Sequence, residues 1–213
     1  MARYGMVIDL RRCICCGTCM VACKTEHCTP PGVFFSRLLV KEFGYYPSPG
    51  KTVVPLLCNH CKEPACVEVC PTGATTQRKD GIVVIDYQKC MGCRYCLIAC
   101  PYGARYFLSS LESYFHGNNR TQSEALGYKQ LQKGVVIKCN FCLEKIEQGL
   151  RQGLKPGKDP DATPTCVNRC PSQARYFGDL DDPDDEVSRL VSSRRGHQLH
   201  PEFGTDPSVY YVD

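Results

Sequence analysis

Apolar residues along this chain come in short runs separated by polar, glycine- and proline-rich stretches. "MVIDL" at 6–10, "VVPLLC" at 53–58, "GIVVID" at 81–86, "ARYF" at 104–107 and again at 174–177, "VVIKC" at 135–139 and "VYYV" at 209–212 are of strand length. They predict short strands in hairpins. "LEKIEQGLRQG" from 143 starts like a helix, and an aspartate-capped helix is predicted over 183–195. Two polar segments, 109–134 and 143–165, fall outside this pattern; insertions of that length contact a partner or extend into solvent. No run approaches the ~20 apolar residues that cross a bilayer. "MARYGMVIDLRRC" has no charged region followed by an apolar one, so no targeting signal is expected. The expectation is a soluble α+β chain with no direct membrane span.

Composition changes this picture in one respect: 18 of 213 residues are cysteine. Sixteen fall into four groups. The first is Cys13, Cys16, Cys19 and Cys23; the second Cys58, Cys61, Cys66 and Cys70; the third Cys90, Cys93, Cys96 and Cys100; the fourth Cys139, Cys142, Cys166 and Cys170. All end in C-x3-C, followed by proline in the last three groups and by Lys24 in the first. "VIDLRRCICCGTCMVAC" at 7–23 aligns without gaps on "VIDYQKCMGCRYCLIAC" at 84–100, which places Cys15 opposite Gly92 at a turn position between ligands. "CNHC" matches "CNFC" and "CVEVCP" matches "CVNRCP", so His60 corresponds to Phe141 and reads as a loop residue. Cys15 and Cys28 remain as ordinary thiols, and His197 and His200 read as surface or packing residues.

Three cysteines close together wrap a cubane, and the fourth leads away; in bacterial two-cluster ferredoxins it ligates the other cluster. The second and third groups are separated by 19 residues and pair as one module. One cluster then takes Cys58, Cys61, Cys66 and Cys100, the other Cys90, Cys93, Cys96 and Cys70. The outer groups pair around them: Cys13, Cys16 and Cys19 with Cys170, and Cys139, Cys142 and Cys166 with Cys23. The expected architecture is two ferredoxin-like 2×(4Fe-4S) modules, one nested inside the other, with loop insertions and a C-terminal helix. Residues 1–52 plus 108–178 form the split outer module, 53–107 the inner one, and 179–213 a partner-docking extension. Structural zinc is the alternative metal, but zinc ribbons need neither the third cysteine nor the C-x3-C-P exit. With so much of the core supplied by clusters, the apo-chain is expected to be largely unfolded. The formal charge of +4 does not argue for nucleic acid, because sixteen thiolates on four cores of about +2 each bring the holo-chain near −4.

The four spacings together with "CNHCKEPACVEVCPTGA", "CMGCRYCLIACPYGARY" and "CVNRCPSQARYFGDLDDP" resemble the iron-sulfur electron-transfer subunits of the dimethyl sulfoxide reductase family, such as those of polysulfide, thiosulfate, tetrathionate and arsenate reductases. The resemblance implies a large catalytic partner holding molybdenum or tungsten on a bis-pterin guanine dinucleotide, and often a membrane quinone-binding subunit. It implies four 4Fe-4S clusters, electron relay without catalysis, and a place at the membrane only through the partner. That place is periplasmic if the chain is co-exported, otherwise cytoplasmic. A free-standing polyferredoxin serving a hydrogenase or another oxidoreductase is the alternative reading.

Overall fold

The computed structural model describes residues 2–115 and 120–213; residues 116–119 of the polar segment 109–134 lie outside the described residues. Short strands and short helices alternate. Strand β1 (Tyr4–Asp9) is buried along its whole length and forms the centre of a three-stranded sheet. On one side it pairs antiparallel with β8 (Arg175–Asp179), and on the other parallel with β9 (Val209–Val212). Among the described residues, three two-stranded antiparallel sheets complete the strands. They join β2 (Ser36–Phe43) to β3 (Gly50–Leu57), β4 (Thr75–Gln77) to β5 (Val83–Ile85), and β6 (Arg105–Phe107) to β7 (Val136–Lys138).

Each C-x3-C pair sits on a helix. The pairs are carried by α1 (Thr18–His27), α2 (Ala65–Glu68), α3 (Tyr95–Ile98) and α6 (Thr165–Asn168), with the last cysteine of the final three just beyond the helix. The last three helices have 4 residues, whereas α1 has 10. The reason is local. Proline cannot continue a helix and disfavours helical geometry in the residue before it, whereas Lys24 permits continuation as far as His27. Lys24 then donates from Nζ to the carbonyls of Pro30 and Val33, at 3.1 and 2.6 Å, and fixes the following loop.

The remaining helices are α4 (Gln122–Gly127), α5 (Leu143–Arg151) and α7 (Glu186–Ser193). Helix α7 is capped by Asp185, whose carboxylate accepts from the Val187 amide at 3.1 Å. Helix α4 starts with a capping box formed by Thr121 and Glu124. The insertion 143–165 does not extend into solvent: Ile146 and Ala162 are buried, and Gly157 lies so close to the Phe177 carbonyl that a side chain there would collide with it.

One continuous core runs through both halves of the chain, taking Met6, Ile8, Leu57, Ile82, Ile137, Phe141 and Tyr211 together with buried cysteines. The boundaries expected at 52/53 and 107/108 fall in or beside paired strands: the first cuts β3 and the second follows directly on β6. Paired strands join the two halves. The tail packs into the same structure. Val209, Tyr211 and Val212 are fully buried, and the Tyr211 hydroxyl donates to the Pro55 carbonyl at 2.7 Å.

Candidate metal centres

The exit cysteine of each C-x3-C pair parts from the sulfur before it. In the second and third groups the two reach different cavities. Cys13, Cys16, Cys19 and Cys170, together with Cys15, line one small cavity. Cys58, Cys61, Cys66 and Cys100 line a second, and Cys70, Cys90, Cys93 and Cys96 a third. Cys23, Cys139, Cys142 and Cys166 are all buried and crowd one another: burial, then Cys166 and Cys142, pushes the Cys23 thiol up. The sixteen grouped cysteines thus gather as four quartets, each with three members from one group and the last from another.

The loops repeat in backbone as well as in sequence. Cys15 and its counterpart Gly92 both have positive φ, 57° and 72°, as do Gly17 and Arg94, at 75° and 66°. After the exit cysteines, Gly73, Gly103 and Gln173 are left-handed. These turns bring the Thr75 amide to 3.4 Å from Cys70 Sγ and the Ala174 amide to 3.3 Å from Cys170 Sγ.

Burial raises Cys13, Cys23, Cys66, Cys96, Cys139 and Cys166, whereas hydrogen bonds lower Cys16 and, outweighing burial, Cys70. Cys61 and Cys142 are pushed up to about 12, first by burial and then by a neighbouring thiolate, Cys58 and Cys166 respectively. Four thiolates side by side are tolerable only around a multiply charged cation. Among the described residues, no three His, Cys, Asp or Glu side chains are disposed to hold a single metal ion. Quartets of sulfur donors with no site disposed for a single ion among the described residues fit cubanes rather than tetrahedral zinc.

Several side chains whose role was not apparent from sequence reach the sulfurs. Arg105 donates from Nη2 to Cys66 Sγ at 2.9 Å, and Arg175 to Cys19 Sγ at 3.4 Å. His27 places Nε2 3.3 Å from Cys142 Sγ. The duplicated "ARYF" was the available signal for the two arginines, because each stands five residues after an exit cysteine. His60 is buried, accepts from the Val83 amide through Nδ1 at 3.0 Å, and stacks on Phe141 with ring centroids 3.8 Å apart. His200 is exposed and faces Glu202, while His197 packs on Tyr211.

Residues 51–114 match the family model of a 4Fe-4S dicluster domain. The chain is 42 % identical to a Halobacterium salinarum protein described as a dimethyl sulfoxide reductase iron-sulfur subunit, over 100 % of this chain and 80 % of that one. The chain belongs to the iron-sulfur subunits of the dimethyl sulfoxide reductase family. It is 36 % identical to the iron-sulfur subunit of the arsenate respiratory reductase of Shewanella sp. (99 % of this chain, 96 % of the relative). It is 39 % identical to a subunit of the tetrathionate reductase of Salmonella typhimurium (99 % and 72 %). As an iron-sulfur subunit the chain transfers electrons and is not the catalytic member of its complex. Among the described residues no helix is long and apolar enough to cross a membrane.

Proposed function

We propose that the four quartets hold four 4Fe-4S clusters and that the chain relays electrons between a molybdenum or tungsten bis-pterin guanine dinucleotide subunit and a second redox partner, such as a membrane quinone-binding subunit. The observation that carries this reading is the exchange of the exit cysteines: Cys170 lines the cavity of the first group, Cys100 that of the second and Cys70 that of the third. Such exchange ties two loops into one unit. It supports a nested pair of ferredoxin-like modules with the ligands Cys13, Cys16, Cys19, Cys170; Cys58, Cys61, Cys66, Cys100; Cys90, Cys93, Cys96, Cys70; and Cys139, Cys142, Cys166, Cys23.

The quartets are ordered in space. Arg175 donates to Cys19 Sγ at 3.4 Å and its charge is drawn to Cys166, so the fourth quartet lies beside the first. Cys139 has Cys23 and Cys58 around it, so the second quartet follows the fourth. Arg105 lies between Cys66 and Cys96, so the third follows the second. The order is first, fourth, second, third. Each end opens to the surface, at the exposed Cys16 and the exposed Cys93, beside the exposed apolar side chains Ile14 and Met91 respectively. These are the proposed ports for electron entry and exit. When bound, the clusters supply one-electron redox chemistry; the protein holds them in line, buries the fourth quartet and positions amides and cations against their sulfurs.

Iron and acid-labile sulfide analysis of anaerobically isolated protein tests the cofactor reading. About sixteen irons per chain are expected from four cubanes, and fewer than about a dozen would contradict it. Co-purification of a large molybdenum or tungsten protein tests the partner, whereas a stable solitary chain would point to a free polyferredoxin.

A further inference from the structure

Each gap between neighbouring quartets contains a buried cation without a carboxylate. Arg175 is 4 % exposed and lies between the first and fourth quartets, touching Cys19 and drawn to Cys166. Arg105, also 4 % exposed, lies between the second and third; besides Cys66, it donates to Thr75 Oγ1 at 3.3 Å. Lys138, 3 % exposed, lies between the fourth and second. Its Nζ donates to the carbonyls of Val83 and Cys139, and its field reaches Cys66. Among the described residues none of the three forms an ion pair with Asp or Glu.

This arrangement is unfavourable by itself. Arg105 and Lys138 are register partners across β6 and β7, and like charges opposite one another on paired strands repel. A buried cation demands a counter-charge, and a guanidinium cannot discharge by losing its proton. The groups available to balance it are sulfurs, which do so only as thiolates. The two arginines also approach equivalent sulfurs, the third cysteine of each group: Cys66 and Cys96 for Arg105, and Cys166 and Cys19 for Arg175. The two halves of the molecule have the same construction.

We propose that Arg175, Lys138 and Arg105 are the potential-setting residues of the relay. Each holds a fixed positive charge between two clusters, stabilises the reduced and more negative state of both, and raises their potentials as a pair. The proposal rests on the four-cluster reading and adds to it which residues govern which couples. Removing one charge lowers the two flanking couples by about tenfold in the reduced-to-oxidised ratio at fixed potential, about 59 mV for a one-electron couple. The two remote couples stay in place.

The test is an EPR-monitored redox titration of the full-length, anaerobically prepared chain, with iron measured on the same samples. Arg105→Gln is expected to lower the couples of the second and third clusters, Arg175→Gln those of the first and fourth, and Lys138→Met those of the fourth and second, all with unchanged iron. Arg105→Lys is expected to restore the wild-type values. Full iron with all four couples unmoved, or with all four shifted equally, would overturn the proposal. If the glutamine variants lose iron, the charge-conserving Arg105→Lys and Arg175→Lys decide: retained iron at wild-type potentials supports it, and loss of iron in these too assigns the side chains a structural role and overturns it. A wild-type chain without four separable couples would instead refute the underlying four-cluster reading.

Discussion

Cys15 and Cys16 are adjacent, line the same cavity and have different roles. Cys15 is held at a φ of 57°, where its repeat counterpart is Gly92 at 72°. A left-handed backbone costs a residue with a Cβ about 1 kcal/mol. Cys15→Gly is therefore expected to keep all the iron and to gain about that much stability, measured by denaturant unfolding of the holo-protein. Cys16→Ser is expected to lose or convert one cluster, visible by EPR. A second residue-scale prediction concerns Asp9. Burial would raise this carboxyl, but a hydrogen bond from Arg194 and the amides of Arg12 and Arg11 outweigh burial and hold it below the usual carboxylate range. A depressed carboxyl contributes stability that is present above its unfolded pKa and disappears as pH falls through the folded value. Arg194→Gln is expected to cost about 2 kcal/mol near neutral pH and to move the acid-unfolding midpoint upward in a circular dichroism titration. An unchanged midpoint would contradict this. At this scale the cysteines were legible because spacing is chemistry: three sulfurs within seven residues, as in the first group, have few uses. Arg105, Arg175 and Lys138 were hard to read, because a cation in "ARYF" or "VVIKC" reads locally as the polar position of a strand; the pairing of β6 with β7, and of β8 with β1, places them among the quartets. His27, at the end of α1, had no signal in the sequence.

Elements follow the repeat where proline follows cysteine and depart from it where proline is missing. The 4-residue helices α2, α3 and α6 and the 10-residue α1 show one substitution, lysine for proline, changing the length of an element. The strands at 81–86, 104–107, 135–139 and 174–177 and the aspartate-capped α7 were readable from pattern alone. The tail was readable as a helix and a strand, but not in its placement, because strand propensity does not say which edge a strand will join. Its β9 completes the central sheet, and Thr205, just before it, lines the second cavity and contacts the Tyr102 hydroxyl at 2.7 Å. Deleting residues 205–213 is thus expected to lower iron content and to lose ordered circular dichroism together. A truncated chain retaining full iron would show that the tail is separable after all.

For the whole molecule, the quartets are part of the core. Cys19, Cys23, Cys139 and Cys166 pack within the same apolar cluster as Ile8, Phe141 and Tyr211, and the buried cations Arg105, Arg175 and Lys138 have no carboxylate partner among the described residues. Without metal, crowded thiols would protonate and leave those cations uncompensated in the interior. Stripping the clusters with a chelator and oxidant is therefore expected to unfold the chain, as seen by far-ultraviolet circular dichroism, with refolding on reconstitution. On the proposed reading the relay and the fold are one object: the row of quartets runs from the exposed Cys16 to the exposed Cys93, and the cations between them serve both. The measurement that tests this most directly is an anomalous iron map from crystals of the anaerobic protein. The account predicts four cubes in a row, each bound by three cysteines of one group and the exit cysteine of another; a cube held wholly by the cysteines of a single group would contradict it.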